Sequence, residues 1–320
     1  MRILFAGSPA IAVPSLEAVA SMSGEGFTLA GLLTKADTPK GRSGKPEPTE
    51  CAMAAAAQSI PQLKPEKLDS AAREQAAVLN ADLLVSFAYG KIFGPQFLAL
   101  FPLGGINIHP SLLPRYRGPT PIPAAILNRE AVTGITIQRL AAEMDSGDIL
   151  VQETVSLNGR ETTASLSGIM AKKAAQLLPA ALRGIAAGTL QAAPQDHAAA
   201  TYCSFFKKED GLINWNRSAA EIDAQIRAFD PWPLSWTTHG ELQLFVLRAE
   251  ALEAKALQAN APALPGEVLG KDKEKGILIQ TGNGILAVSE LQYRTKKSQE
   301  WKAFLNGARN FMGARLGNKI

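Results

Sequence analysis

Only three histidines occur in the 320 residues, and one of them, His109, closes a short apolar run, Gly105-Ile106-Asn107-Ile108-His109, that Pro110 interrupts. In a strand, side chains two apart share a face, so Asn107 and His109 point one way while Ile106 and Ile108 turn into packing. The run therefore sets an amide donor and an imidazole side by side, a pair suited to hydrogen-bond donation and proton transfer. In open α/β sheets such groups act from the carboxyl ends of the strands. An isolated Asn or His at a strand end also serves as a cap or a satisfied core group, so the pair needs company to mean chemistry. Neither His197 nor His239 has a comparable setting, and no second histidine or cysteine stands at ligand spacing, so no metal is expected.

The elements that must position this pair follow from patterning. RILFAG, PSLEAVASM, FTLAGLLT, CAMAAAAQS, ADLLVSFA, GINIH and TGITIQRL alternate strand-like and helical character, which predicts an α/β domain with a Rossmann-like, mostly parallel sheet and helices on both faces. The first strand runs into Gly7-Ser8-Pro9, so the glycine-rich dinucleotide fingerprint is absent and a nicotinamide oxidoreductase loses its main support. Helical spacing over 163–187 closes a first domain, 1–187, and the segment 188–204 reads as a linker. The second domain, 205–320, opens with a strand and a helix that Asp230-Pro231 stops. Around Gly282-Asn283-Gly284 two β-rich runs predict a hairpin, and the remainder reads as a small β-barrel. The aromatic residues of FDPWPLSW, Phe229 to Trp236, are expected in that domain's core.

Composition narrows the class. With 46% hydrophobic and 19% charged residues the chain has apolar surface enough to offset ordering entropy, which excludes disordered and collagenous classes. Two distant cysteines, Cys51 and Cys203, suggest neither a disulfide framework nor a zinc site and fit a reducing cytoplasm. The MRILFAG start is too short for a secretory segment, and charges interrupt every Ala-rich stretch before about 20 apolar residues accumulate. No membrane partner is expected. Residues 270–320 carry 10 Lys+Arg against 4 Asp+Glu, a balance of +6 in a chain of +4 overall. Such a tail admits a polyanion partner, and it equally fits a solvated face.

Taken together, NIHPSLLPRYRG, Thr133-Gly134-Ile135-Thr136-Ile137 and Met144-Asp145-Ser146-Gly147-Asp148-Ile149-Leu150 resemble the 10-formyltetrahydrofolate-dependent formyltransferase superfamily. With FAGSP at the start and FDPWP downstream, the pattern is similar over essentially the full length to the tRNA-formylating branch of that superfamily. The resemblance implies a formyltransferase domain followed by an OB-like β-barrel domain that touches tRNA. It implies transfer of the formyl group of 10-formyltetrahydrofolate to the α-amino group of methionine on initiator methionyl-tRNA, by a monomer, with Asn107, His109 and Asp145 as catalytic residues. The chemistry is consistent with that trio. An amine attacking a formyl carbonyl builds negative charge on oxygen and positive charge on nitrogen, which calls for donors at the oxygen and an exit for the proton. Asn107 and a protonated His109 can donate; Asp145 either favours and orients the imidazolium or holds a water that relays the proton. Both roles stay open at this level.

The same resemblance places the pterin in an apolar slot held by backbone groups of Phe87, Ala88, Tyr89 and Gly90 and of the loop from Glu143 and Met144 to Asp148, with Ser111, Leu112, Leu113 and Pro114 bordering the folate. Two departures stand out, Gly94 where the family commonly has proline and Pro119-Thr120 in place of a small-residue pair. For the tRNA it implies the basic, Gly/Pro-rich loop with Lys35, Lys40, Arg42 and Lys45, together with Arg294, Lys296 and Lys297 of the tail. Spaced Lys and Arg neutralise phosphates. A 10-formyltetrahydrofolate hydrolase, a sugar-amine formyltransferase and a noncatalytic tRNA- or folate-binding protein remain the alternatives on this scaffold.

Overall fold

The computed structural model describes residues 1–39, 44–252 and 263–317, and the chain divides into two compact units. The first comprises Met1–Pro121, Val132–Ser156 and Leu166–Ser204; the second comprises Ile122–Ala131, Leu157–Ser165 and Phe205–Ile320.

The first unit is built on a seven-stranded sheet of β1 (Arg2–Gly7), β2 (Thr28–Leu33), β5 (Gln62–Leu63), β6 (Leu83–Phe87), β7 (Gly105–His109), β8 (Val132–Arg139) and β9 (Ile149–Ser156), in the order β5-β2-β1-β6-β7-β8-β9. Two-residue strands β3 (Thr38–Pro39) and β4 (Pro46–Glu47) pair separately. From β5 to β7 every pairing is parallel, whereas β8 and β9 run antiparallel. The parallel strands are apolar almost throughout, as strands covered on both faces must be: Ile3, Leu4, Phe5 and Ala6 of β1 and Leu83, Leu84 and Val85 of β6 are fully buried. Four short helices accompany them, α1 (Val13–Ser21), α2 (Glu50–Ala57), α3 (Ser70–Ala77) and α4 (Pro95–Leu98). The long helix α6 (Thr163–Ala187) spans the predicted range and buries Leu166, Met170, Ala174, Leu178 and Leu182 at helical spacing. Gly188, at φ +65°, ends it in the left-handed conformation that glycine tolerates.

The segment 188–204, expected as a linker, is laced to the first unit by its backbone. Ile149 and Ala193 exchange hydrogen bonds of 2.8 Å each way, the Arg117 N–H donates to the Thr201 carbonyl (2.8 Å), and the Cys203 N–H donates to that of Arg117 (2.8 Å). Backbone pairing of this kind leaves little trace in an Ala-rich sequence.

In the second unit, β10 (Ser235–His239), β11 (Leu242–Leu252), β12 (Val268–Asp272), β13 (Gly276–Gln280), β14 (Ile285–Tyr293) and β15 (Gln299–Glu300) form an antiparallel sheet ordered β10-β11-β14-β13-β12, with β15 on β14. Register shifts near Arg248 bend the long β11, as bulges do. The predicted hairpin is present: Gln280 pairs with Ile285, and the Thr281 hydroxyl donates to the carbonyl of Gly284 (2.7 Å), which sits at φ +84°. Helix α7 (Ala219–Phe229) starts with a reciprocal cap between Ser218 and Glu221, and α8 (Trp301–Gly307) inserts Phe304 into the core. Helix α5 (Pro121–Leu127) completes the set. One expectation fails: Phe229 is buried, but Trp232 is 60% exposed. It stands between Pro231 and Pro233 in the turn that follows α7, where the chain has left the helix face that packs.

Candidate active site

Strand β7 places the predicted pair as expected. Ile106 and Ile108 are buried, while Asn107 and His109 share the other face, His109 at 4% exposure and Asn107 half-buried. Directly across on β8 lie Gln138, opposite Asn107, and Thr136, opposite His109; Gln152 on β9 then faces Thr136. A row of polar side chains thus crosses three strands.

Asp145 arrives from the turn between β8 and β9. Its backbone sits at φ +52°, a conformation Asp tolerates better than most residues, and a side chain at the nearby Gly147 would run into the Arg139 carbonyl. The carboxylate is well supplied with donors. Oδ1 accepts from Asn107 Nδ2 (3.2 Å) and Gln138 Nε2 (3.0 Å), and Oδ2 accepts from the Gly118 N–H (2.9 Å) and faces His109 Nδ1 at 3.5 Å.

Chemistry fixes the orientation of both partners. A carboxylate only accepts, so the Asn107 amide turns its nitrogen to Asp145 and keeps a second N–H free. The Tyr116 carbonyl likewise only accepts, so His109 Nε2, 2.8 Å from it, carries a proton, and Nδ1 is the nitrogen turned to Asp145. In this arrangement any proton that His109 gains is held on Nδ1, on the carboxylate side.

The loop Ser111 to Pro114 covers the polar row. Thr136 donates its hydroxyl to the Ser111 carbonyl (2.7 Å) and accepts from the Leu113 N–H (3.3 Å), and Gln152 Nε2 donates to the Leu113 carbonyl (3.0 Å). Ser111 and Leu113 are buried, whereas Leu112 and Pro114 are half-buried. Beside β7, Phe87 ends β6 opposite Ile108, so residues 88–90 leave the sheet next to the site. Phe87 and Tyr89 are buried, Tyr89 stacking on Phe93 at 5.4 Å with its hydroxyl pushed up to about 12 by burial. Ala88 (φ +52°) and Gly90 (φ +79°) are exposed, so this loop offers backbone rather than aromatic rings. Glu143, Met144 and Asp148 are exposed around Asp145.

The cationic residues divide. The exposed Lys35 lies with its ammonium over Gly90, and Lys45 is exposed, while Lys40 and Arg42 lie outside the described residues. Arg294, Lys296 and Lys297 are exposed on the turn between β14 and β15 in the second unit, with Lys296 over the Tyr293 ring at 5.7 Å. Among the described residues no cluster of His, Cys, Asp and Glu could hold a metal ion, and no helix is long and apolar enough to cross a membrane.

Sequence reasoning missed Gln138, Gln195 and Arg117, all at least 95% buried. Gln138 was within reach, since the alternation Thr136-Ile137-Gln138 puts its amide on the face of Asn107. Gln195 and Arg117 gave no comparable signal, because they meet across 78 residues of sequence.

Comparisons with known proteins identify the family. Residues 1–182 match the family described as formyl transferase, and residues 206–309 match the formyl transferase C-terminal domain. Among solved structures, the N-formyltransferase of Helicobacter canadensis, in complex with folinic acid and dTDP-3-aminofucose, is similar in fold (TM-score 0.64, 20% identity, 89% of this chain and 97% of that one). HypX of Aquifex aeolicus in complex with tetrahydrofolic acid is similar over 98% of this chain and 48% of its own (TM-score 0.65, 16% identity). The fold and the matched domains define a formyl transferase. Curated relatives narrow the class: the methionyl-tRNA formyltransferase of Treponema denticola is 49% identical over 98% of both chains, and that of Borreliella burgdorferi strain B31 is 40% identical over 98% of both. The chain belongs to the methionyl-tRNA formyltransferase family.

Proposed function

We propose that this chain transfers the formyl group of 10-formyltetrahydrofolate to the α-amino group of methionine on initiator methionyl-tRNA, in the cytoplasm, to supply formylated initiator for translation. The observation that carries the reading is the meeting of Asn107 and His109 with the Asp145 carboxylate, at 3.2 and 3.5 Å, at one sheet end, in a chain 49% identical to a methionyl-tRNA formyltransferase. Asn107, its amide held by Asp145, directs its free N–H at the carbonyl oxygen where charge develops. His109 and Asp145 take and hold the proton that the attacking amine loses, on the imidazole nitrogen that faces the carboxylate.

The folate site is assigned to the exposed backbone of residues 88 and 90, to the 143–148 turn and to the loop Ser111 to Pro114. Small and glycine residues with positive φ leave backbone groups open to a flat ligand, which suits this surface to a pterin. The tRNA is assigned to Lys35, Lys40, Arg42 and Lys45 of the basic 34–49 loop and to Arg294, Lys296 and Lys297 of the second unit. Residues 1–187 are taken as the catalytic domain, 188–204 as its connection and 205–320 as the tRNA-binding domain, in a monomer.

The test is to incubate the protein with 10-formyltetrahydrofolate and methionyl initiator tRNA and to follow formyl-methionine, with uncharged tRNA, amino sugars and water as competing acceptors. Formyl-methionyl-tRNA is the expected product. Transfer to an amino sugar, or release of formate at the same rate without tRNA, refutes the reading.

A further inference from the structure

Behind Asp145 runs a chain of buried polar groups that the reaction above does not use. Arg117 is 2% exposed, and among the described residues no carboxylate lies within ion-pair distance of its guanidinium. Burying a cation without a counter-ion is costly, so its hydrogen bonds matter. Nε and Nη2 both donate to Gln195 Oε1, at 3.1 and 2.7 Å, while Nη1 donates to the Tyr202 hydroxyl (3.3 Å) and Nη2 faces His197 Nδ1 (3.2 Å). Gln195 Nε2 donates in turn to the carbonyls of Gly147 (2.6 Å) and Asp145 (2.9 Å) and to Gln138 Oε1 (3.1 Å). Gln138 Nε2 then donates to Asp145 Oδ1 (3.0 Å).

The direction of this chain is forced. Arg117 can only donate and the Asp145 carboxylate can only accept, so each amide between them points its oxygen toward the cation and its nitrogen toward the anion. Gln195 grips both the backbone of the Asp145 turn and, through Gln138, its side chain. That turn has Asp145 at positive φ and Gly147 packed on a carbonyl, and it holds this shape against easier alternatives.

Resting on the function proposed above, we infer that Gln195 is a positioning residue for Asp145: with Arg117 as its anchor, it holds the left-handed turn and the carboxylate in register with Asn107 and His109. Its place in 188–204 gives that segment a part in the chemistry.

The experiment compares steady-state formylation by the parent, Gln195→Glu, Gln195→Ala, Gln138→Ala and the double variant Gln195→Glu/Gln138→Ala, with melting followed in parallel. Gln195→Glu preserves volume and gives Arg117 a carboxylate, so it keeps the fold while removing the donors to Asp145, Gly147 and Gln138. Its kcat falls by about 10- to 100-fold, with KM for folate and for tRNA within about two-fold of the parent. The double variant loses little more than the worse single one, because both act on one carboxylate. A kcat within about two-fold of the parent in Gln195→Glu and Gln195→Ala, at equal folded fraction, overturns the inference, as do losses that multiply in the double variant. A parent that transfers no formyl group refutes the proposed function instead.

Discussion

Each unit closes a strand on a histidine, and the two environments have little in common. His109 ends β7 with a carboxylate 3.5 Å from Nδ1 and a carbonyl 2.8 Å from Nε2, and the row of Thr136 and Gln152 extends beside it. His239 ends β10 among aromatic rings: Phe311 packs edge-on at 4.9 Å, Tyr293 stacks at 6.2 Å, and Nδ1 meets the Tyr293 hydroxyl at 2.7 Å. Strand position alone does not make an imidazole reactive. At β7 the fold adds a neighbouring group able to compensate a developing charge, the Asp145 carboxylate, from a turn well beyond the strand in sequence.

If that contrast is right, the two surroundings fail in different currencies. The largest effect is expected around His239. Phe304 is 1% exposed and touches both Tyr293 (5.1 Å) and Phe311 (5.0 Å). Phe304→Ala removes the centre of this aromatic stack and costs about 3–5 kcal/mol, read as a lower denaturation midpoint of the second unit. Single-turnover formyl transfer by the folded fraction with saturating tRNA stays close to the parent's. A transfer rate that collapses with the midpoint would break the comparison.

At β7 the order reverses. Asn107→Ala removes the donor proposed to meet the developing charge and should lower kcat by about 10²- to 10³-fold, equivalent to roughly 2.7–4 kcal/mol, while melting shifts little because Asn107 is half-buried and Asp145 keeps Gln138 and Gly118 as donors. An unaffected rate removes Asn107 from the mechanism.

Thr136 separates support from chemistry. Its hydroxyl donates to the Ser111 carbonyl and accepts from Gln152 and the Leu113 N–H, and it is fully buried. Thr136→Val keeps the shape and leaves those groups short of a partner, at about 1–3 kcal/mol in stability. Because this row holds the loop that borders the assigned folate site, KM for 10-formyltetrahydrofolate rises while kcat changes less. A fall in kcat alone would move Thr136 into the proton path.

How much of this was legible in sequence follows period and distance. Alternation exposed Asn107 and His109 on one face, and helical spacing placed a helix over about 163–187, where α6 lies. Asp145 came from motif resemblance, since no local pattern singles out one turn aspartate from another. Gln195 and Arg117 stayed hidden because a buried amide between a cation and an anion is defined only once segments far apart in the chain meet. Trp232 misled for the opposite reason: an aromatic residue carries strong burial propensity, and the prolines around it, which keep it in a surface turn, carry the decisive signal.

The smallest prediction tests the quiet histidine by pH. Burial beside Phe311 and Tyr293 lowers the basicity of His239 below the ordinary 6.5, despite an opposing backbone hydrogen bond with Asn310. The neutral form is therefore favoured by folding, and below pH 6.5 the unfolded chain binds the proton more readily than the native one. The stability associated with neutral His239 is fully present above that value and is lost as pH falls from it toward the lower native value. The melting midpoint of the second unit should decline as pH falls below the ordinary 6.5, and His239→Gln should flatten that slope while leaving the formylation pH profile in place. A slope unchanged by His239→Gln would mean that its surroundings compensate the imidazolium after all, and the contrast between the two strand ends would narrow to the carboxylate alone.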